Sequence, residues 1–361
     1  MSRSIRKEVT RRPICASAAA VILLLGLGAA FARLHEREGQ SGPRAWRAAH
    51  SAEASLSARG ISRLRRTTWQ GGRVVAKTGE ALTVYVSDAY PDTAAPQRWA
   101  DYFASLVHGA ELSSLTVYVA AAAEVGSLCD GAEVLGCYGG DRIVITGEPV
   151  DEIPPEAVAA HEYGHHVAAN RANPPWSPVD WGPKRWASYE HVCSRAHAGT
   201  AFPGDEGLRY FLNPGEAFAE SFRVLNQQAL GAAVSPWKIV DHSFTPDAGA
   251  LGAIREDVLQ PWTPPPPQAV RARFAARGPR TWTLRLATPL DGQLSVLLTV
   301  PAGAVYDLSL RGADGRVLET GLLSGSGEKT LEHAVCGERT AQLRVTRHGP
   351  AGRFSLRIQR P

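Results

Sequence analysis

Apolar residues alternate with polar ones at Leu82-Thr-Val-Tyr-Val86 and again at Leu115-Thr-Val-Tyr-Val119, the period of two that predicts half-buried strands. Between them, Pro96 to His108 reads as a helix with Trp99, Tyr102, Phe103 and Leu106 on one face. Asp141-Arg-Ile-Val-Ile-Thr146 predicts a third strand. Pro154-Pro155 then opens a helix, since proline suits the first turn, and the helix ends before Asn173-Pro-Pro175. Residues 171–210 read as loop-rich, with many Pro, Gly and Trp. Another helix starts after Asn213, with Asn213 as its cap and Pro214 in its first position. Pro264 to Pro267 predicts a stiff linker. Beyond it the texture changes to short strands at 281–286, 293–298, 305–310, 342–346 and 353–358, split by Gly, Asp and Pro turns. Evenly spaced short strands predict a β-sandwich. There is no convincing internal repeat.

Ahead of the first strand, residues 33–72 are rich in Arg, Ala and Ser and poor in large apolar residues. They read as a basic stem, a disordered tether or pro-like segment. Residues 13–32 carry no charge and centre on Val21-Ile-Leu-Leu-Leu-Gly-Leu27, behind a basic start. That is the pattern of an export signal, and Ala30-Phe31-Ala32 fits a cleavage site. The same 20 uncharged residues are long enough to span a bilayer, so 1–32 reads equally as signal peptide or membrane anchor. Either way the rest of the chain is expected outside the cytoplasm, secreted or anchored. The expected division is 1–32, a stem at 33–72, an α+β domain at 73–262, a proline linker at 263–268 and an all-β sandwich at 269–361.

Composition is ordinary for a globular chain of 361 residues, 44% hydrophobic and 20% charged. The net charge of +4 is unevenly placed. Residues 1–12 sum to +4 and 33–72 to +5, which leaves −5 for 73–361. The basic character thus belongs to the N-terminal tail. With no basic stripe and interleaved aromatics in the folded part, no nucleic-acid partner is expected. Cys15 lies in the export segment. The other four cysteines are an even number in an oxidising compartment. Cys129 and Cys137 flank a Gly-rich loop and are the clearer disulfide candidates, whereas Cys193 with Cys336 would tie the two domains together. No close C-x-x-C pair exists, so a cysteine zinc site is not expected.

The chemistry concentrates in HEYGH, His161 to His165. Residues four apart share a helix face, so His161 and His165 can offer two imidazoles to one ion. Glu162 lies about 100° round the helix, at the edge of such a site, where it can take a proton from activated water. A catalytic zinc wants three protein ligands and an open position. Arg171 and Ala168 stand where the longer H-E-x-x-H-x-x-G-x-x-H form needs His and Gly, which excludes that form. The alternative is a glutamate on a following helix. NPGEAFAESF supplies Glu216 and, four residues on, Glu220. Glu216 can ligate while Glu220 accepts a hydrogen bond from a ligand histidine. Glu216 also sits where a capping-box glutamate belongs, so capping and ligation are both open for it. His166 has no partner at ligand spacing and reads as a surface residue.

HEYGH followed by NPGEAFAE resembles the gluzincin metallopeptidases, the thermolysin-like superfamily. That resemblance implies a zincin-like α+β domain holding one zinc per chain through His161, His165 and Glu216. It makes Glu162 the general base and Glu220 the partner of the first histidine. It covers two helices only, so transition-state donors are not assigned; Tyr210, His191 and His197 are candidates. Strand 142–146 is expected to line the cleft and pair with an extended peptide, a pairing that proline at Ile143 would break. Residues 269–361 resemble the bacterial prepeptidase C-terminal domain through TWTLRLATPLDGQLSVLL, AVYDLSLRGADGRVLETG and GRFSLRI. That implies a role in secretion, substrate binding or surface attachment. Turn chemistry accounts for Asp291, Asp307 and Asp314 better than calcium does. The expected function is an exported zinc endopeptidase acting on peptide or protein substrates, with the membrane as a partner if the N-terminal segment is uncleaved. Two alternatives are a cell-surface binding protein on an inactive peptidase-like scaffold, and a zinc hydrolase of a non-peptide amide.

Overall fold

The computed structural model describes residues 53–361, except 91, 132, 133 and 326. The export segment, Cys15 and the first half of the stem lie outside the described residues. The N-terminal part runs β1 (Glu53–Ser55), α1 (Ala58–Leu64), β2 (Trp69–Val75), β3 (Ala81–Ser87), α2 (Ala95–Ser105), β4 (Thr116–Ala120), α3 (Ala122–Leu128), β5 (Gly136–Gly139), β6 (Arg142–Thr146) and α4 (Pro155–Ala169). Three short helices follow, α5 (Pro178–Trp181), α6 (Lys184–Tyr189) and α7 (Val192–His197), then α8 (Pro214–Ala229) and α9 (Ala248–Leu259). The C-terminal part is all strand: β7 (Gln268–Arg273), β8 (Thr281–Ala287), β9 (Gly292–Thr299), β10 (Tyr306–Arg311), β11 (Val317–Thr320), β12 (Leu322–Gly325), β13 (Glu328–Val335), β14 (Thr340–Arg347) and β15 (Arg353–Gln359). Among the described residues no helix is long and apolar enough to cross a membrane.

The first six strands form one mixed sheet in the order β1-β5-β6-β4-β3-β2. Strand alternation sorts its side chains onto two faces. Ile143 and Ile145 join Val117 and Val119 in a core closed by α2, α4 and α8, with Phe103, Tyr163, Phe218 and Phe222 between the layers. Val144 and Cys137 point the other way, onto Leu56, Leu64, Val125 and Leu128 of the α1 and α3 side. The Cys129–Cys137 disulfide forms there.

The structure corrects several expectations. The stem is not a tether throughout: Leu56 and Leu64 are buried, so residues 53–72 are part of the folded sheet and its second core. The boundary at Arg73 falls inside β2. Residues 171–210 are loop-rich as expected, with three short helices set among the loops. Strand β6 cannot receive a peptide, because it pairs with β4 on one side and β5 on the other. Its backbone groups are already used. The outer rim of β5 is occupied too, by β1.

The C-terminal strands form a four-stranded sheet, β11-β10-β14-β8, and a five-stranded one, β12-β13-β9-β15-β7. Both contribute to one core built from Leu294, Val296, Tyr306, Leu308, Leu343, Val345, Phe354 and Leu356. Two sheets sharing one core are consistent with a β-sandwich. Asp307 lies in β10 rather than a turn and pairs with Lys329 at 2.7 Å. Asp314 accepts from the Arg316 amide at 2.9 Å, the turn chemistry expected of it.

The sandwich is fixed to the short helices. Cys193 and Cys336 form a disulfide. The Asp291 amide donates to Ser188 Oγ at 3.0 Å, and Arg339 donates to Ser188 O at 3.1 Å. Lys184 is buried at this junction, where its Nζ donates to Pro174 O at 3.3 Å and lies 4.7 Å from the Trp262 ring centre. Burial pushes its ammonium down to about 8, against the pull of Asp291 and Asp257. Between that value and its usual 10.5 the folded chain holds fewer protons here than the unfolded chain. This residue's contribution to stability therefore rises with pH across that window and is flat below it. From about pH 7.5 to pH 9.5 wild type should gain about 1–2 kcal/mol relative to Lys184→Met in denaturant unfolding. Parallel pH profiles would contradict the assignment.

Candidate metal centre

Helix α4 carries HEYGH through the middle of the α+β part. Its sequence there is Ala-, Gly- and Val-rich, which lets the sheet close on one side and α8 on the other. Gly164 is the point of closest approach, where a Cβ would stand 2.7 Å from Ala219 Cα on α8. That contact brings the face holding His161 and His165 against the face holding Glu216 and Glu220. Helix α8 begins as the sequence predicts: the Asn213 side chain accepts from the Gly215 amide at 3.0 Å and Pro214 fills the first turn. Glu216 does not spend its carboxylate on the cap. It turns inward to the histidines.

His161 Nε2 and His165 Nε2 lie 3.1 Å apart, and Glu216 Oε2 lies 3.3 and 3.4 Å from them. All three side chains are buried, with residue exposures of 1%, 8% and 5%. Three basic atoms facing one another repel unless a proton or cation sits between them. A tetrahedral centre with bonds of about 2.0–2.1 Å has ligand-to-ligand separations of about 3.3–3.4 Å. The trio therefore fits a single tetrahedral cation. Burial pushes the Glu216 carboxyl up, but the His165 and His161 imidazoles outweigh it and hold it well below the usual carboxylate range.

Glu220 Oε2 lies 3.1 Å from His161 Nδ1. A carboxylate can only accept, so Nδ1 carries the proton and Nε2 is left with its lone pair toward the trio. Arg223 in turn holds Glu220, donating from Nε to Oε2 at 2.9 Å and from Nη2 to Oε1. Burial raises Glu220, while Arg223 and His161 pull it below its ordinary value. Sequence reading missed Arg223, although its spacing of three from Glu220 was a usable signal.

Glu162 is buried against β5, where a Cβ on Gly136 would stand 2.6 Å from its Oε1. Glycine at 136 thus makes room for this carboxylate. Of the donor candidates, Tyr210 is the one at the site: its hydroxyl donates to Glu216 Oε2 at 2.6 Å. His191 and His197 are exposed, and His197 approaches Cys336 Sγ at 3.4 Å instead.

His166 is not a surface residue. It is fully buried, and its Nε2 donates to Glu111 O at 2.9 Å. Burial lowers its pKa, against the pull of Glu111 and Asp141. Glu111 anchors this back face of α4. It accepts from Tyr163 Oη at 3.1 Å and pairs with Arg171 at 2.9 Å. Burial raises the Glu111 carboxyl, and Arg171 brings it below its ordinary value. Glu111 lies in a 3-10 turn over Ala110–Ser114, and a lone Glu in so short an element gave no sequence signal for this role.

A small, mostly apolar pocket adjoins Glu220 and Val158, lined also by Leu135, Ile153, Pro236 and Ile239.

No protein-family model and no curated protein matches the chain. Among solved structures it has a weak likeness to the pre-peptidase C-terminal domain of a collagenase from Bacillus anthracis. The two are 12% identical over 26% of this chain and 89% of that one, with a TM-score of 0.22. A family GH115 4-O-methyl-α-glucuronidase with specificity for decorated arabinogalactans is 9% identical over 57% of this chain and 38% of that one, with a TM-score of 0.18. Neither likeness is strong enough to carry an argument about activity.

Proposed function

We propose that the chain is an exported zinc-dependent endopeptidase. Its α+β part is read as a zincin-like catalytic domain of gluzincin type, holding one zinc per chain through His161, His165 and Glu216. The observation that carries this reading is the convergence of those three buried donor atoms at separations of 3.1 to 3.4 Å. The motif pair HEYGH and NPGEAFAE supports it, as does the pattern of the first 32 residues.

A bound zinc supplies a Lewis acid that makes water acidic and polarises a substrate carbonyl. Glu162 accepts a proton from the attacking water and delivers it to the departing amine nitrogen. Glu220 keeps His161 in the tautomer that leaves Nε2 free to ligate. Tyr210, beside the trio, is the nearest hydroxyl donor for charge that develops on the carbonyl oxygen. Burial of Glu162 and the ligands keeps these interactions in a low dielectric, where they are strongest.

Cleavage of a diverse peptide mixture by metal-stripped and zinc-reloaded chain, read by mass spectrometry, tests the reading. Internal peptide-bond cleavage restored by zinc supports it. Hydrolysis confined to amides outside peptides would move the assignment to a non-peptide hydrolase. A zinc-loaded chain that cleaves neither would leave the inactive scaffold. Gly136→Ala is a local test of Glu162. The added methyl displaces the carboxylate, so the rate should fall about tenfold to a hundredfold with zinc content unchanged. An unaffected rate would remove Glu162 from the reacting centre.

A further inference from the structure

The two folded parts differ sharply in charge. Residues 73–267 hold 12 Lys and Arg against 24 Asp and Glu, whereas 268–361 hold 14 against seven. The sum of −5 over 73–361 concealed a basic sandwich of +7. All but one of its 14 cations are arginine.

Part of that charge lies in rows. In β7 and β15 the apolar residues Val270, Ala272, Phe354 and Leu356 pack on the core, and Arg271, Arg273, Arg353 and Arg357 alternate with them on the outer face. All four arginines are exposed, and among the described residues none of their guanidinium groups has an ion pair or hydrogen bond, only the backbones being paired in the sheet. Lys329 and Arg339, by contrast, are paired with Asp307 and Asp291. Arg353 stands directly opposite Arg273 across the strand pair. Like charges so placed destabilise a sheet. Nothing in the fold repays that cost, and an anionic ligand would.

Arg271, Arg273 and Arg353 line a groove of about 990 Å³ between the β7–β15 edge and Pro301. Ser355 and Thr299 stand in register beside Arg271 and supply hydroxyls. We propose that this groove binds a linear acidic polysaccharide that carries carboxylates on successive sugars. Guanidinium forks bind carboxylates in bidentate fashion. Residues two apart on a strand present them about 7 Å apart, which suits anionic groups recurring along a polymer. The ring of Phe354, the groove's one aromatic, is turned into the core, so single-stranded nucleic acid has no stacking platform. The arginines rise from the face of β7 and β15, whereas a peptide added as a strand would pair with the outer rim of β7. The proposal is independent of the metal centre.

Calorimetric titration of the full chain with hexagalacturonate tests it, with Arg271→Gln/Arg273→Gln/Arg353→Gln as the variant. Wild type should bind, and should weaken severalfold or more between 50 and 500 mM salt. The triple variant should lose about tenfold or more in affinity while its melting temperature holds or rises, as relief of the Arg273–Arg353 repulsion requires, and its zinc content stays unchanged. The methyl-esterified hexamer should not bind. Equal affinity of wild type and variant would overturn the proposal. So would tighter binding of oligoaspartate, oligodeoxythymidylate or anionic vesicles.

Discussion

Glu162→Gln should lower hydrolysis by about a hundredfold to ten-thousandfold and leave the zinc in place. Glutamine has the same size and cannot take a proton from water. The side chain is not one of the three donors that converge on the metal position, so its replacement leaves His161, His165 and Glu216 facing one another as before. Its surroundings accept the swap, because Gly136 leaves room beside Oε1. Zinc content by atomic absorption and single-turnover rates on one peptide separate the two effects. A variant that kept full activity would remove the proton-transfer role. A variant that lost its zinc would place Glu162 among the ligands or their supports.

The second large effect is expected at the contact between the two helices that carry the donor atoms. Gly164→Ala puts a methyl 2.7 Å from Ala219 Cα and 3.2 Å from Ala219 O. These are backbone atoms of the facing helix and cannot turn aside as a side chain can. Helices α4 and α8 must separate, and His161 and His165 then move away from Glu216. Overpacking of this kind costs about 1–3 kcal/mol. Zinc affinity should fall with it, by about tenfold or more, since one of three ligands is pulled out of reach. Gly252→Ala on α9 is the matched control: a Cβ there meets nothing within 4 Å. It should leave affinity unchanged and stabilise the helix by up to about 1 kcal/mol. Similar zinc affinity in both variants would mean that the α4–α8 contact does not set the geometry of the trio.

The site was legible where it depended on helix periodicity. His161 with His165, and Glu216 with Glu220, are each four apart, and that spacing alone puts each pair on one face. It was not legible where it depended on the other faces of the same helices. Helix α4 is enclosed almost all round by the sheet, α8 and the Glu111 loop, so His166 is as buried as His161. Nothing in a single sequence distinguishes a histidine facing a carbonyl from one facing water. Tyr210 and Glu111 reach the site and its back face from 3-10 helices of three and five residues, too short for any periodicity to show in the sequence.

The fold divides in the same way. Strands with clear alternation, such as β3, β4 and β9, and the continuous apolar run of β6 lie within a residue or two of where the sequence places them. Strand β5, Gly136-Cys-Tyr-Gly139, was not recognisable, since glycine is depleted in strands and the disulfide suggested a loop. Pairing with β6 imposes the extended conformation there. Strand β2 was hidden by Gly71 and Gly72 in the same way. The arginine rows were hidden for a different reason. Whole-segment charge cancelled between an acidic part and a basic one, and only strand register shows that Arg273 and Arg353 are neighbours.

The proposed chemistry depends above all on one cation held by three side chains. Its most direct test is the zinc content of the full chain after removal of loose metal, measured for wild type and Glu216→Gln. One zinc per wild-type chain, with affinity weakened a hundredfold or more in a variant of unchanged secondary structure, is the predicted result. A well-folded wild-type chain that binds no zinc, or a variant that binds it equally well, would contradict the centre formed by His161, His165 and Glu216.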